Sequence, residues 1–209
     1  KVIDVESYAV SRTHDLSLAL LPDDAVDKVV AIVDIGATMT LFSVTESGKH
    51  IYSRDQIFGG EQYTRSIVSY YNKSFEEAEA AKVTGDLPPN YTFEVLAPYH
   101  TVLVQQIRRA IQMFLTTSGQ EKVDYLLISG GTAALEGIES LLTEELGIHT
   151  VIANPFNDMS HGELIEQDEL ANVAPQLMVA TGLVIVGISL CYCAFVPFIA
   201  DLANLVGTL

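Results

Sequence analysis

An apolar, β-branched run that ends in a single acid is the feature that most constrains what this chain can fold into. Residues 29–44 read VVAIVDIGATMTLFSV. The run predicts a buried strand with Asp34 at its tip, and Gly36 predicts a tight turn into a second strand over residues 40–45. A glycine turn lets backbone amides approach an anion, and a carboxylate beside it can hold Mg²⁺ directly or through water. We therefore interpret this hairpin as a nucleotide-phosphate loop, although the same pattern also marks ordinary β-turns.

The charge and cysteine content limit the classes of function. The 209 residues carry 27 acidic and 11 basic side chains, a net charge of −16. No stripe of Lys and Arg is available to neutralise phosphates, so the composition argues against nucleic acid as a partner. The two cysteines, Cys191 and Cys193, and the five scattered histidines provide neither a disulfide framework nor a four-ligand zinc site. A reducing compartment is therefore expected.

The remaining patterns predict an α/β fold in which strands and helices alternate. A short strand over residues 2–5 and a helix over 6–20 come first, and a third strand over 50–58 extends the Asp34 hairpin into an antiparallel meander. Further helices are predicted over residues 61–71, 74–82, 92–117 and 133–146, and further strands over 123–128 and 149–152.

Two glycine pairs stand at junctions between strands and helices. Gly59 and Gly60 precede one predicted helix, and Gly130 and Gly131 precede another. A helix start leaves amide N–H groups without intrahelical acceptors and carries a positive dipole end. Both junctions are therefore predicted to offer free donors to an anion, although the second pair fits a role in packing equally well.

A long uncharged stretch lies near the end of the sequence. No Asp, Glu, Lys or Arg occurs between Leu170 and Ala200, and a run of this length is sufficient for a membrane span. Pro175 and Pro197 interrupt the run, and no basic cluster flanks it. A helix that is buried or covered by a partner is therefore the alternative.

Taken in order, several short segments resemble the actin-like ATPase superfamily. They are VESYAV, VDIGATMT, FGGEQYT, EEAEAAK and LLISGGTAALEG, and DVESYA, IFGGEQYT and the NPF after the last strand favour the PilM family within it. The resemblance covers residues 1–182 and implies an RNase-H-like fold with a three-stranded antiparallel meander, parallel strands and flanking helices. It implies a connecting strand and helix of a first lobe over residues 1–22, a nucleotide-binding lobe over 23–169, and a returning helix with an apolar tail over 170–209.

The resemblance also implies roles for individual residues. Glu6 would orient the attacking water, and Asp34 would be the acid associated with Mg²⁺. The residues implied for ATP are Gly36, Ala37 and Thr38 beside the γ-phosphate, Gly59 and Gly60 in the cleft, Glu79 and Lys82 at ribose and adenine, and Gly130, Gly131 and Thr132 in the adenosine motif. The family's first phosphate loop would precede Lys1, so we expect the chain to hold the C-terminal portion of the fold and to bind ATP poorly by itself.

The PilM family is the cytoplasmic actin-like component of the type IV pilus assembly platform at the inner membrane. The resemblance implies a peripheral, ATP-binding scaffold that docks a PilN-like membrane protein through that partner's cytoplasmic N-terminal peptide. Slow ATP hydrolysis at most, and self-association, are further expectations. The alternatives are a small-molecule kinase on the same fold, with Glu6 and Asp34 as the acids placed for catalysis, and a lobe without a nucleotide site.

Overall fold

A mixed five-stranded sheet forms the centre of the computed structural model, which describes residues 4–157, 159 and 167–187. Strands β1 (Val29–Ile35), β2 (Thr40–Glu46) and β3 (Lys49–Gln56) form an antiparallel meander. Strands β4 (Tyr125–Ser129) and β5 (His149–Ile152) continue the sheet parallel to β1, in the order β3-β2-β1-β4-β5. The predicted meander and parallel strands are both confirmed.

Helices lie between and beyond these strands. The helices are α1 (Glu6–Ser17), α2 (Gly60–Tyr71), α3 (Phe75–Thr84), α4 (Ala97–Ser118), α5 (Ile138–Leu146), α6 (Gln167–Val173) and α7 (residues 178–187). Short 3₁₀ turns cover Leu18–Leu20, Asp23–Asp27, Gly131–Ala134 and Ala174–Leu177, and a π turn covers Thr92–Leu96. Ser74 and Glu77 form the predicted capping box at the start of α3, and Gly85 ends that helix in the left-handed conformation.

The larger core lies between one face of the sheet and helices α2, α4 and α5. Alternate residues of β1, such as Val33 and Ile35, pack there against the apolar stripe of α4. The stripe predicted from the sequence is buried as expected, at Val95, Tyr99, Leu103, Ile107, Ala110, Ile111 and Phe114. Because helices cover both faces of the central strand, β1 is apolar and buried almost throughout, and Asp34 is its one partly exposed residue.

The segment before α1 differs from the prediction of a strand over residues 2–5. Asp4 and Val5 are not in a strand, and residues 1–3 lie outside the described residues. The carboxylate of Asp4 accepts a hydrogen bond from the amide of Val5 and pairs with Arg12. These contacts tie Asp4 to the helix rather than to a sheet, since a carboxylate beside a helix start satisfies donors there. The helix over residues 6–20 is confirmed as α1 followed by a 3₁₀ turn.

The prediction of one continuous helix over residues 133–146 is wrong. A 3₁₀ turn ends at Ala134, and α5 begins only at Ile138. Gly137 has a φ of +76°, a left-handed conformation that does not continue a helix and that glycine adopts at little cost. The glycine therefore separates the turn after β4 from α5.

Helices α1 and α7 cover the second face of the sheet. Val10 and Leu21 pack there against Ile32 and Leu127, and Val179 of α7 packs against the same cluster. The stretch Leu170–Gly187 is long and apolar enough to cross a membrane by length and composition, and 22% of it is buried in the structure. The membrane span stays a prediction, and the apolar extension from residue 188 onward lies outside the described residues.

Gly182 of α7 lies close against the backbone of α1. A Cβ atom on Gly182 would lie 2.0 Å from the carbonyl oxygen of Ala9. We expect Gly182→Val to push α7 away from α1 and to lower the free energy of unfolding by ~1–3 kcal/mol, the usual cost of overpacking. Urea unfolding followed by far-UV circular dichroism measures this change.

Gly187→Val is the matched control, because Gly187 lies on the same helix and no atom of a described residue lies within 4 Å of an added Cβ. The control is expected to change the unfolding free energy by less than ~0.5 kcal/mol. Equal losses in the two variants would show that the contact between Gly182 and Ala9 does not hold α7 in place.

Candidate functional site

The turns that follow β1, β3 and β4 meet at one end of the sheet. The amide of Gly60 donates to the carbonyl oxygen of Gly36 at 2.9 Å, and the amide of Glu61 donates to that of Ala37 at 2.7 Å. A Cβ atom on Gly60 would lie 3.1 Å from Oγ1 of Thr132. The predicted phosphate loop, the start of α2 and the turn after β4 therefore form one continuous surface.

Gly130 presses the turn after β4 against the end of β1. An added Cβ would lie 2.4 Å from the carbonyl oxygen of Ile35, and the φ of Gly130 is +85°. Its amide donates to the carbonyl oxygen of Pro175 at 2.8 Å. Only a residue without a side chain allows this approach, so Gly130 has a packing role whatever else it does.

Asp34 stands at the carboxyl end of β1, where ligands commonly bind in sheets with parallel strands. Ser129 Oγ, at the end of β4, donates to Asp34 Oδ1 at 2.7 Å. Burial raises the pKa of Asp34, the Ser129 hydrogen bond opposes that rise, and the nearby charge of Glu6 adds to it. A cation beside these two acids would relieve the cost of holding both charges.

The residues present fit a metal ion that arrives bound to phosphate better than one held by protein alone. Among the described residues there is no group of three or more His, Cys, Asp or Glu side chains that could hold a metal ion. Mg²⁺ commonly keeps several waters and takes one or two carboxylates together with phosphate oxygens. Asp34 supplies one such carboxylate.

The prediction that the glycine pairs leave free amides is wrong for three of the four glycines. The amide of Gly59 donates to Gln62 Oε1 at 2.8 Å, and those of Gly60 and Gly130 bond to backbone carbonyls. Because α5 begins at Ile138, no α-helix starts at Gly130 and Gly131 either, and only a short 3₁₀ turn begins there. In the exposed part of the β1–β2 turn, the amides of Ala37 and Thr38 make no such bond to a described residue.

Glu79 and Lys82 form an ion pair that a third side chain completes. Lys82 Nζ lies 2.7 Å from Glu79 Oε1, and Thr64 Oγ1 lies 2.6 Å from Glu79 Oε2 and 3.0 Å from Lys82 Nζ. Burial acts to raise the pKa of Glu79, but the bonds from Lys82 and Thr64 outweigh it and hold that pKa below its usual value. The sequence reasoning missed Thr64, which lies one helical turn after Gly60.

Lys82 also lines a cavity of about 480 Å³, a size typical of small-molecule sites. Tyr63 of α2, Leu87, and Ala134 and Leu135 from the turn after β4 form other parts of its wall. The two segments predicted to contact adenosine, that of Lys82 and that after Gly131, therefore face the same space. A cavity of about 510 Å³ between α4 and α5 includes none of the predicted site residues.

Comparisons with known proteins give the following likenesses. A family model described as type IV pilus assembly protein PilM matches residues 1–187. A chain of the PilM-PilN type IV pilus biogenesis complex superposes with a TM-score of 0.75 and 26% identity, covering 90% of this chain and 53% of that one. Ethanolamine utilization protein EutJ of Salmonella typhimurium (strain LT2) is 26% identical over 151 residues, which are 71% of this chain and 50% of EutJ.

The structure of MreB 5 of Spiroplasma citri bound to AMPPNP is a more distant likeness. It has a TM-score of 0.59 at 15% identity and covers 92% of this chain and 61% of that one, so it concerns the fold alone. The present chain spans about half the length of the pilus and EutJ relatives that it matches.

Proposed function

Because the chain belongs to the PilM family of type IV pilus assembly proteins, we propose that it is the nucleotide-binding part of an ATP-dependent scaffold. The predicted actin-like ATPase fold is confirmed by the structural likenesses. Fold alone does not determine function, so the proposal depends on the site at the carboxyl end of β1.

The meeting of three glycine-bearing turns with Asp34 is the observation that carries the proposal of ATP binding. Asp34 offers a carboxylate for phosphate-bound Mg²⁺, which would balance charge on the phosphates. The amides of Ala37 and Thr38 suit the phosphate end of ATP. The cavity beside Lys82 and Glu79 suits the adenosine end. MreB 5, which shares the fold, was solved with AMPPNP, and this supports the same class of ligand here.

The proposed partner is a PilN-like inner-membrane protein. The pilus relative was solved in a PilM-PilN complex, and its likeness to this chain supports a partner of that kind. We propose that docking uses the partner's cytoplasmic N-terminal peptide and that the scaffold is cytoplasmic and peripheral at the inner membrane. Since the chain covers 53% of that relative, we assign no partner-contacting residues.

Hydrolysis is proposed to be slow or absent. Phosphoryl transfer depends on metal, phosphate-binding groups and an oriented nucleophile being held together. Glu6 is exposed, and its charge acts on the partly buried Asp34, so these two carboxylates by themselves would repel the negative charge of the transferred phosphoryl group. A binding role suits this arrangement better than rapid transfer to a small acceptor.

Thermal unfolding with and without Mg-ATP tests the nucleotide proposal. A ligand that binds the folded state stabilises that state by RT ln(1 + [L]/Kd) and so raises the melting temperature. We expect a rise with millimolar Mg-ATP and none with Mg²⁺ alone. No rise at any soluble concentration of Mg-ATP would contradict ATP binding. Phosphoryl transfer to a small acceptor at ~1–100 s⁻¹ would instead favour the alternative function, a small-molecule kinase on the same fold.

A further inference from the structure

A stack of three aromatic rings lies next to the glycine turns. The rings of Phe58 and Tyr99 have centroids 5.6 Å apart with an interplanar angle of 13°, and those of Tyr63 and Tyr99 have centroids 5.3 Å apart with an angle of 28°. Phe58 precedes Gly59, Tyr63 belongs to the first turn of α2, and Tyr99 belongs to α4. Tyr99 is therefore held rigidly between the start of α2 and the core.

The hydroxyl group of Tyr99 is buried without a satisfactory partner. Tyr99 is 5% exposed, and its hydroxyl oxygen makes no hydrogen bond of normal geometry to a described residue. Burial raises the pKa of Tyr99, and the neighbouring Thr132 side chain acts in the opposite direction. A buried hydroxyl is normally hydrogen-bonded, so an unpaired one calls for an explanation.

Thr132 connects this hydroxyl to the candidate site. Thr132 is 6% exposed, and its Oγ1 lies 3.1 Å from the position of a Cβ on Gly60. Gly60 in turn bonds to Gly36 of the β1–β2 turn. The Thr132 side chain thus lies near both the Tyr99 hydroxyl and the turns that form the predicted phosphate-binding surface.

We propose that Tyr99 is a positioning residue for the nucleotide: when nucleotide binds, the O–H group of Tyr99, unsatisfied until then, donates to Thr132 Oγ1, and this leaves the Thr132 hydroxyl hydrogen for a phosphate oxygen. This inference rests on the proposed ATP binding. A hydroxyl has one hydrogen to donate and two lone pairs. When one lone pair accepts from Tyr99, the hydrogen is left for the ligand, and a donor to an anionic oxygen forms a strong, charge-assisted bond.

Tyr99→Phe removes only the hydroxyl and tests the proposal through two measurements with opposite expected signs. Affinity for Mg-ATP, measured by calorimetry, is expected to fall about three- to tenfold, the effect of losing one typical hydrogen bond. The melting temperature without nucleotide is expected to stay the same or rise, because the change removes an unsatisfied buried group. A purely structural role would lower both quantities together or leave the affinity unchanged.

Tyr52→Phe is the matched control. Tyr52 lies in the same core, with its ring centroid 6.1 Å from that of Phe42 and 5.4 Å from that of Phe114. It belongs to β3, away from Thr132. The affinity of this variant for Mg-ATP is expected to equal that of the unaltered chain.

A double-mutant cycle with Thr132 isolates the interaction. Thr132→Val removes the hydroxyl at nearly constant shape and is expected to weaken binding, whereas Thr132→Ser keeps the hydroxyl and most of the affinity. In the Thr132→Val background, Tyr99→Phe is expected to have no further effect. An equal loss in both backgrounds would overturn the proposal.

The outcomes separate this inference from the proposed function. If the unaltered chain binds Mg-ATP and Tyr99→Phe binds it equally well, the positioning role is wrong and ATP binding stands. If the unaltered chain does not bind Mg-ATP, both proposals are wrong. If Tyr99→Phe fails to fold, the hydroxyl is structural and the positioning role is again overturned.

Discussion

Gly130→Ala is expected to lower the free energy of unfolding by roughly 2–6 kcal/mol, a large part of the ~5–15 kcal/mol that holds a typical domain folded. Two costs add. Gly130 has a φ of 85° and a ψ of 174°, a region that residues with a side chain occupy at a cost of about 1–3 kcal/mol. The added Cβ would also lie 2.4 Å from the oxygen and 2.8 Å from the nitrogen of Ile35, and overpacking of this kind costs about 1–3 kcal/mol more.

The clash expected in Gly130→Ala is costly because the added Cβ meets backbone atoms and not a flexible side chain. Ile35 ends the central strand, whose residues pair with β2 and β4 on either side. A shift of Ile35 would therefore disturb the sheet, and a shift of the Gly130 turn would break the bond from its amide to Pro175. We therefore expect that neither shift relieves the clash without a large cost in free energy.

Gly131→Ala is the control, since it makes the same chemical change one residue further along. In the part of the chain that the structure describes, no atom lies within 4 Å of a Cβ added to Gly131, and Gly131 has no positive φ. The substitution is therefore expected to change the free energy of unfolding by less than ~0.5 kcal/mol. Urea unfolding followed by far-UV circular dichroism measures both variants without nucleotide; the chain has no tryptophan. Similar unfolding free energies for the two would refute the assigned contact with Ile35.

Asp34→Asn is expected to weaken Mg-ATP binding by roughly 10- to 100-fold, the range typical of losing a group that orients metal ligands. The amide keeps the shape of the carboxylate and an oxygen that can accept the bond from Ser129 Oγ. It removes the negative charge that would attract the metal ion. Calorimetric titration with Mg-ATP gives the ratio of dissociation constants.

The same variant is not expected to lose stability in the absence of nucleotide. Burial, together with the charge of Glu6, raises the pKa of Asp34 above its ordinary value of 3.8, so folding disfavours the ionised form. Stability linked to this group is present below the unfolded-state pKa and is lost as the pH rises through the folded-state pKa. Asn does not titrate, so the fall in unfolding free energy between acid and neutral pH is expected to be smaller in the variant.

Asp27→Asn is the control for the change of charge. Asp27 is exposed and lies just before β1, at the end of the strand opposite Asp34. The affinity of the Asp27→Asn variant for Mg-ATP is expected to match that of the unaltered chain. Unchanged binding by Asp34→Asn, or an equal loss in the Asp27 variant, would contradict the assignment of Asp34 to the metal-phosphate end of the site.

Local patterns were sufficient to predict most of the elements. The β-branched runs predicted β1 and β4, because such residues suit strands buried on both faces. The Ser74–Glu77 spacing and Gly85 fixed both ends of α3, and the apolar periodicity of α4 identified its buried stripe. The order of the short motifs was also sufficient to indicate the family. These features depend on residues that are close in sequence.

Only the tertiary structure decided how the predicted residues are used. The sequence placed Gly60 and Gly130 at a ligand surface with free amides, but carbonyls from distant segments accept hydrogen bonds from those amides. It gave no sign that Thr64 joins Glu79 and Lys82, or that Thr132 is a neighbour of the Tyr99 hydroxyl. A sequence shows that a glycine amide or a hydroxyl group is present. The hydrogen-bond partner of that group comes from a chain segment that meets it only on folding, and this partner determines whether the donor remains available for a ligand.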